Sequence, residues 1–259
     1  MKEFIDQMNQ IIRLESIPRR IVSLVPSQTE LLYDLGLENE VVGITKFCIH
    51  PESWFRIKSR VGGTKSVDIK KVRDLNPDLI IGNKEENNQE DIGELKKIAP
   101  VWMSDIFNLE DAIEMIEKIG EMTDTTDLSS SLVKDIDNEF QQLKSKIDSS
   151  SVKSVLYFIW NEPRLVAGKN TFIDDMLLKC GLNNLTQNER YPEVEKEQNP
   201  DLVFLSSEPY PFKKKHIEEF SNIYPNAKIE IVDGEMFSWY GSRLKFSAHY
   251  LSQLLVKKK

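Results

Sequence analysis

The chain has only two cysteines, Cys48 and Cys180, among 259 residues. Two thiols so far apart do not make a disulfide framework, so a buried apolar core has to hold the fold. Both are expected as reduced, semi-buried side chains. No run of about 18 apolar residues occurs, which excludes a membrane-embedded helix. Neither GxGxxG nor GxxxxGK followed by Ser or Thr is present, so no glycine-rich phosphate cradle is indicated. Basic charge is in the minority: 34 Lys and Arg stand against 42 Asp and Glu, a formal net charge of -8. Nucleic-acid binding needs a concentrated basic face. The C-terminal lysines are too short a tail to provide one, so no nucleic-acid partner is expected. The opening MKEFIDQMNQIIRLESIP interrupts every apolar stretch with polar residues and lacks the apolar region of a signal peptide. Read from Met1, the chain is expected in the cytoplasm, with a periplasmic or cell-surface location as the alternative if a leader was removed.

What the sequence does contain is alternation. At 40% hydrophobic composition it can bury a substantial core. Short apolar runs at 21–25, 41–45, 79–81 and 101–103 read as buried strands. Amphipathic stretches at 30–35, 69–75, 91–98 and 109–122 read as helices between them. This pattern predicts an α/β fold with a sheet that is at least partly parallel. From Asp127 to Ile147 there is no proline or glycine. Leu128, Leu132, Ile136, Phe140, Leu143 and Ile147 recur every three or four residues, the stripe of one long helix, with Asp127 or Ser129 as its cap. The alternation then restarts with strands at 152–160, 202–206 and 229–232 and helices at 172–180, 216–223 and 242–256. The expected organisation is an N-terminal α/β lobe over 1–124, a linking helix over 125–149 and a C-terminal α/β lobe over 150–259, each lobe with a central sheet.

Ligands of open α/β sheets sit beyond the carboxyl ends of the strands, and the chemistry-bearing segments fall there. RIVSLVPSQTELLYDLG runs from a strand into a helix start, where Ser27 or Thr29 can cap the helix. Ser27, Gln28 and Thr29 are also candidate ligand contacts. In GITKFCIHPE, Cys48 and His50 are soft or borderline metal ligands on one side of an extended segment; alternatively they coordinate a metal already held in a cofactor, or simply pack. Glu85, Glu86 and Asn87 follow another strand end and face either ligand or water. Trp160 ends a strand and offers a flat apolar wall with one N–H donor, or is a core tryptophan. Glu208 and Tyr210 follow a further strand. Trp239, Tyr240, Ser242 and Arg243 crowd between the last strand and the last helix. Aromatic walls with one guanidinium suit a large ligand bearing acidic groups. The second-lobe residues Trp160, Trp239, Tyr240 and Arg243 would meet the first-lobe set in a cleft.

With RIVSLVPSQTELLYDLG, the VGGT…NPDLIIG block, the long helix and VAGKNTFIDDMLLKCGLNN in this order, the chain resembles the helical-backbone metal receptors. These are the class III periplasmic binding proteins for cobalamin, haem and iron siderophores, and the likeness is closest to the cobalamin type. It covers roughly residues 18 to 255. The resemblance implies two Rossmann-like lobes joined by one long helix, and a cleft using Ser27 to Glu30, Glu85 to Asn87 and Trp160. The implied ligand is a corrinoid, haem or ferric chelate. The implied partner is an ABC transporter permease, and the implied protein is monomeric, without an intrinsic cofactor and without catalysis. One departure is Lys70, which stands where transporter-coupled members carry a docking glutamate; like charges disfavour such docking. The second docking position falls among Glu193, Glu195 and Glu197. The alternatives are a cytoplasmic enzyme or chaperone acting on such a cofactor through Cys48, His50 and Glu86, and a ligand sensor.

Overall fold

In the computed structural model, which describes residues 1–147, 152–194 and 198–256, the opening residues fold back on themselves. β1 (Lys2–Ile5) pairs antiparallel with β2 (Ile11–Leu14). Phe4, Ile12 and Leu14 turn inward and are buried. The polar residues between them make the turn: the Asp6 carboxylate accepts from the N–H groups of Met8 and Gln10, and Asn9 takes the left-handed conformation at φ 59°. Sequence reading missed this hairpin, because a four-residue strand leaves too few alternations to register as a period.

The chain divides into two compact units. The first holds Met1–Ile106, Glu110–Asp135 and Tyr240–Arg243; the second holds Phe107–Leu109, Ile136–Trp239 and the residues from Leu244 onward. In the first unit β3 (Ile21–Ser23) leads into α1 (Pro26–Asp34), and β4 (Val41–Ile44) into α2 (Glu52–Ile57). The short β5 (Ser59–Arg60), β6 (Gly62–Gly63) and β7 (Ser66–Val67) follow, then α3 (Ile69–Asp74), β8 (Leu79–Asn83), α4 (Gln89–Leu95) and β9 (Val101–Ser104). The five-stranded sheet has the order β5-β4-β3-β8-β9, and each of its pairings is parallel. Every residue of β3, β8 and β9 is buried. That is why these strands read as apolar runs and not as alternation.

α5 (Leu109–Thr123) precedes the long α6 (Thr126–Lys146). The rod expected from Asp127 to Ile147 is therefore one continuous helix. Its residues through Asp135 belong to the first unit and those from Ile136 to the second. Ser129 does not cap it. Its hydroxyl donates to Thr126 O, and its side chain lies so close to Gly120 that a Cβ there would meet Ser129 Oγ at 2.1 Å. Residues 148–151, where the expected boundary of the second lobe falls, lie outside the described residues.

In the second unit β10 (Ser154–Trp160), β11 (Leu165–Val166), α7 (Phe172–Lys179), β12 (Asn183–Asn184), β13 (Leu202–Ser206), α8 (Lys214–Ile223) and β14 (Lys228–Val232) lead to α9 (Glu235–Ser238) and α10 (Leu244–Val256). The sheet order is β11-β10-β13-β14, with β12 also on β10; β10, β13 and β14 are parallel and β11 is antiparallel. One side of this sheet packs on an aromatic cluster. Phe158 meets Phe220 edge-on at 4.8 Å, and Phe212 meets Phe220 at 5.7 Å. The Arg164 guanidinium lies 5.3 Å from the Phe220 ring centre. Phe220 is fully buried, so Phe220→Ala is expected to cost roughly 3–5 kcal/mol and Phe220→Leu clearly less. Guanidinium unfolding followed by circular dichroism checks this; a midpoint unchanged by the alanine would contradict the packing described.

Candidate functional site

The polar residues of the first unit gather where its parallel strands end. α1 begins at Pro26 without a side-chain cap, so Ser27 and Thr29 do not cap it as expected. Proline at the first helical position needs no N–H partner and starts the helix earlier than the apolar periodicity suggests. Thr29 instead turns inward. Its hydroxyl lies 2.9 Å from Val25 O, 2.8 Å from Ser23 Oγ and 3.1 Å from Cys48 Sγ. The Cys48 thiol also meets Thr45 Oγ1 at 3.1 Å and is fully buried. Burial pushes this thiol above its ordinary pKa, against the opposing hydrogen bonds from the threonines. Buried against two threonine hydroxyls, Cys48 has the surroundings of a packed thiol, one of the readings the sequence left open. His50 is half-buried beside it in the same loop. Among the described residues no group of three or more His, Cys, Asp or Glu is placed to hold a metal.

Gln28 donates from Nε2 to Ser104 Oγ at 2.6 Å, and Asn83 donates from Nδ2 to the same hydroxyl at 3.0 Å. Asn83 and Ser104, the last residues of β8 and β9, were not singled out from the sequence; their signal is a polar residue closing an otherwise apolar run. The Asn83 side chain accepts from the N–H groups of Glu85 (2.8 Å) and Glu86 (3.1 Å). Asn87 accepts from Asn83 N–H at 2.8 Å and donates to Thr64 O at 3.0 Å. The Asn87 amide is thus committed to the turn, while Glu85 and Glu86 are half-buried at its rim.

Tyr240, Ser242 and Arg243 belong to the first unit, not to the second where sequence order put them. The reason is local complementarity. Arg243 makes a bidentate pair with Glu30, with contacts of 2.9 and 2.6 Å. Tyr240 donates to Glu86 Oε1 at 2.9 Å. Burial, then the Glu86 charge, holds the Tyr240 phenol well above its usual pKa, so it stays a neutral donor. A Cβ on Gly241 would lie 2.5 Å from Ser27 O, so only glycine admits this approach. Ser242 is fully buried. Arg243 was expected to meet an acidic group of a ligand, a carboxylate or phosphate; here it meets the carboxylate of Glu30. Their side chains are only 12% and 18% exposed. Arg243→Met is therefore expected to destabilise more than the Arg243→Met/Glu30→Gln pair, with a coupling of roughly 2 kcal/mol in a double-mutant cycle read by urea unfolding. Additivity would remove the pair from the account.

In the second unit Trp160 closes β10 and is 39% exposed. Its indole N–H donates to Glu162 O at 3.0 Å, and its ring meets Tyr210 edge-on at 5.5 Å. It therefore leaves part of its ring exposed and keeps its donor inside the unit. Trp239 is buried. Its Nε1 and Ser238 Oγ both donate to Glu208 Oε1, at 3.0 and 2.8 Å. Burial raises the Glu208 carboxyl pKa, helped by the nearby negative charge of Glu235 and opposed by these two donors. A raised carboxyl pKa means that the folded state holds its proton where the unfolded chain has released it. That stability is complete below the ordinary carboxylate range and is lost as pH rises through the raised value. Glu208→Gln, which keeps an acceptor for both donors, is expected to flatten this decline in urea titrations run from acid to neutral pH. A slope as steep as that of the unaltered protein would show that Glu208 is not its source.

Of the expected docking positions, Lys70 is exposed at the start of α3 and pairs with Asp74 at 2.9 Å. Glu193 is exposed, and Glu195 and Glu197 lie outside the described residues. No helix among the described residues is long and apolar enough to cross a membrane.

A parallel sheet in one unit and a mostly parallel sheet in the other, a helix with residues in both, and polar groups at the strand ends define the class III periplasmic binding protein fold. The chain belongs to the periplasmic binding protein family, whose model matches residues 21–223. It is 30% identical over 180 residues to an uncharacterised ABC transporter substrate-binding lipoprotein of Bacillus subtilis, covering 66% of this chain and 57% of that one. It is 26% identical over 195 residues to a vitamin B12-binding protein of Vibrio parahaemolyticus, covering 72% of this chain and 70% of that protein. In fold it matches a periplasmic haem-binding protein of Pseudomonas aeruginosa with a TM-score of 0.80 at 22% identity, covering 92% of each chain. These relatives overturn the expected cytoplasmic location, since they include a lipoprotein and periplasmic proteins. The polar opening that suggested it is the β1–β2 hairpin, whose composition reflects a folded element and carries no information on export.

Proposed function

We propose that this chain is the substrate-binding component of an ABC-type importer, working outside the cytoplasmic membrane on a bulky metal-containing molecule: a corrinoid, haem or ferric chelate. The observation that carries the reading is Trp160, a large aromatic left 39% exposed at the carboxyl end of a parallel strand. An indole face in that position suits a flat macrocycle or chelate. Ser27, Gln28, Glu85 and Glu86 in the first unit and Glu208, Tyr210 and Trp239 in the second are the further candidate contacts. Family membership and the relatives that bind vitamin B12 and haem support it. Catalysis has less to rest on: the Cys48 thiol is buried among threonine hydroxyls, and the family is one of binding proteins. An ABC permease is the proposed partner, with Lys70 a cation where a docking carboxylate would serve.

The test is a titration with hydroxocobalamin, haemin and ferric desferrioxamine, read by absorbance and tryptophan quenching. At least one is expected to bind saturably, and Trp160→Ala should weaken it roughly tenfold or more. No saturable binding by any of them would overturn the reading.

A further inference from the structure

Several hydrogen-bond donors among the second unit's candidate residues are engaged by the protein. Trp160 Nε1 is held by Glu162 O, while Trp239 Nε1 and Ser238 Oγ are held by Glu208. Tyr210, half-buried and edge-on to Trp160, has a hydroxyl 3.3 Å from His216 Nε2. Which of the two donates depends on the imidazole tautomer, and the backbone decides it. Lys213 N–H donates to His216 Nδ1 at 2.8 Å. A ring nitrogen that accepts an N–H carries no proton, so in the neutral ring the proton sits on Nε2. His216 is 3% exposed and clamped edge-on by Phe212 at 5.3 Å and Tyr210 at 5.6 Å. It therefore keeps this orientation.

Nε2–H then donates to the Tyr210 oxygen, and the Tyr210 proton is not used in that bond. We propose that His216 is a positioning residue. It makes Tyr210 a directed hydrogen-bond donor for an oxygen acceptor on the ligand, a carboxylate or amide carbonyl, lying beside the Trp160 face. This rests on the ligand-binding reading above and adds to it the chemistry of the group recognised. Sequence alone marked Tyr210 but gave His216 no part, since the two meet through the first turn of α8.

Two measurements test it. In ligand-free protein, long-range proton–nitrogen correlation of the histidine side chains is expected to show His216 as the Nε2–H tautomer; an Nδ1–H tautomer would overturn the proposal. With haemin and hydroxocobalamin, both of which carry oxygen acceptors, Tyr210→Phe is expected to weaken binding about 3- to 10-fold. His216→Phe should act in the same direction, and the double variant should add nothing, because both act through one hydroxyl. Wild-type affinity in Tyr210→Phe, which keeps the ring against Trp160, would overturn the donor role whatever His216→Phe does. If the unaltered protein binds neither probe, the ligand role of Tyr210 falls, and the tautomer result separates that failure from an error in the His216 geometry.

Discussion

A parallel sheet buried on both faces leaves no room for polar side chains along its strands, and most of this structure follows from that constraint. Polarity is displaced to the carboxyl ends. β3 ends at Ser23, β8 at Asn83, β9 at Ser104 and β13 at Ser206, each of them buried, while Thr45 follows directly on β4. A buried hydroxyl or amide without a partner costs about 1–3 kcal/mol, so these ends have to satisfy one another. They do so in small layers: Ser23 with Thr29 and Cys48, Ser104 with Gln28 and Asn83, and Ser206 with Tyr157 and the Glu208 carbonyl.

This mutual satisfaction changes what the candidate site can offer. Residues that look like ligand contacts in the sequence are often holding the loops that carry them. Asn87 closes the turn after β8, Arg243 is matched by Glu30, and the indole N–H groups of Trp160 and Trp239 are taken by Glu162 and Glu208. Rigid loops with pre-assigned hydrogen bonds lose little freedom on binding, which is one route to affinity without many direct polar contacts. On the proposed ligand reading, such loops leave recognition mainly to shape and apolar surface.

The strand–helix alternation was legible because buried strands and one-sided helices leave different periods. Leu202–Ser206 matches its strand residue for residue, and the long helix falls within a residue of its expected span at each end. Less was legible where no period exists. The FCIHP loop runs against hydropathy, with Phe47 and Ile49 exposed and Cys48 buried between them. A turn positions side chains by its dihedral angles, so composition did not reveal which one faces inward. The segment from Tyr240 to Arg243 failed for another reason. Four residues between two helices carry no sign of which sheet they join, and only the matching of Arg243 to Glu30 and Tyr240 to Glu86 decides it.

The acidic balance of the chain can be weighed against the same local arrangements. The formal charge is -8, yet the acids nearest the strand ends are not a uniform negative field. Glu30 is paired with a guanidinium, and Glu86 accepts from a neutral phenol. Glu208 is held toward its protonated form by burial. Pairing with Arg243 offsets the charge of Glu30 locally, so the formal charge of the chain overstates the negative field near that pair. Over distances beyond roughly 8–10 Å, salt screens the surface charges in any case. On the proposed reading, recognition falls to short-range contacts such as those of the Trp160 ring and the Tyr210 hydroxyl, and net charge bears on solubility and encounter more than on which ligand is held.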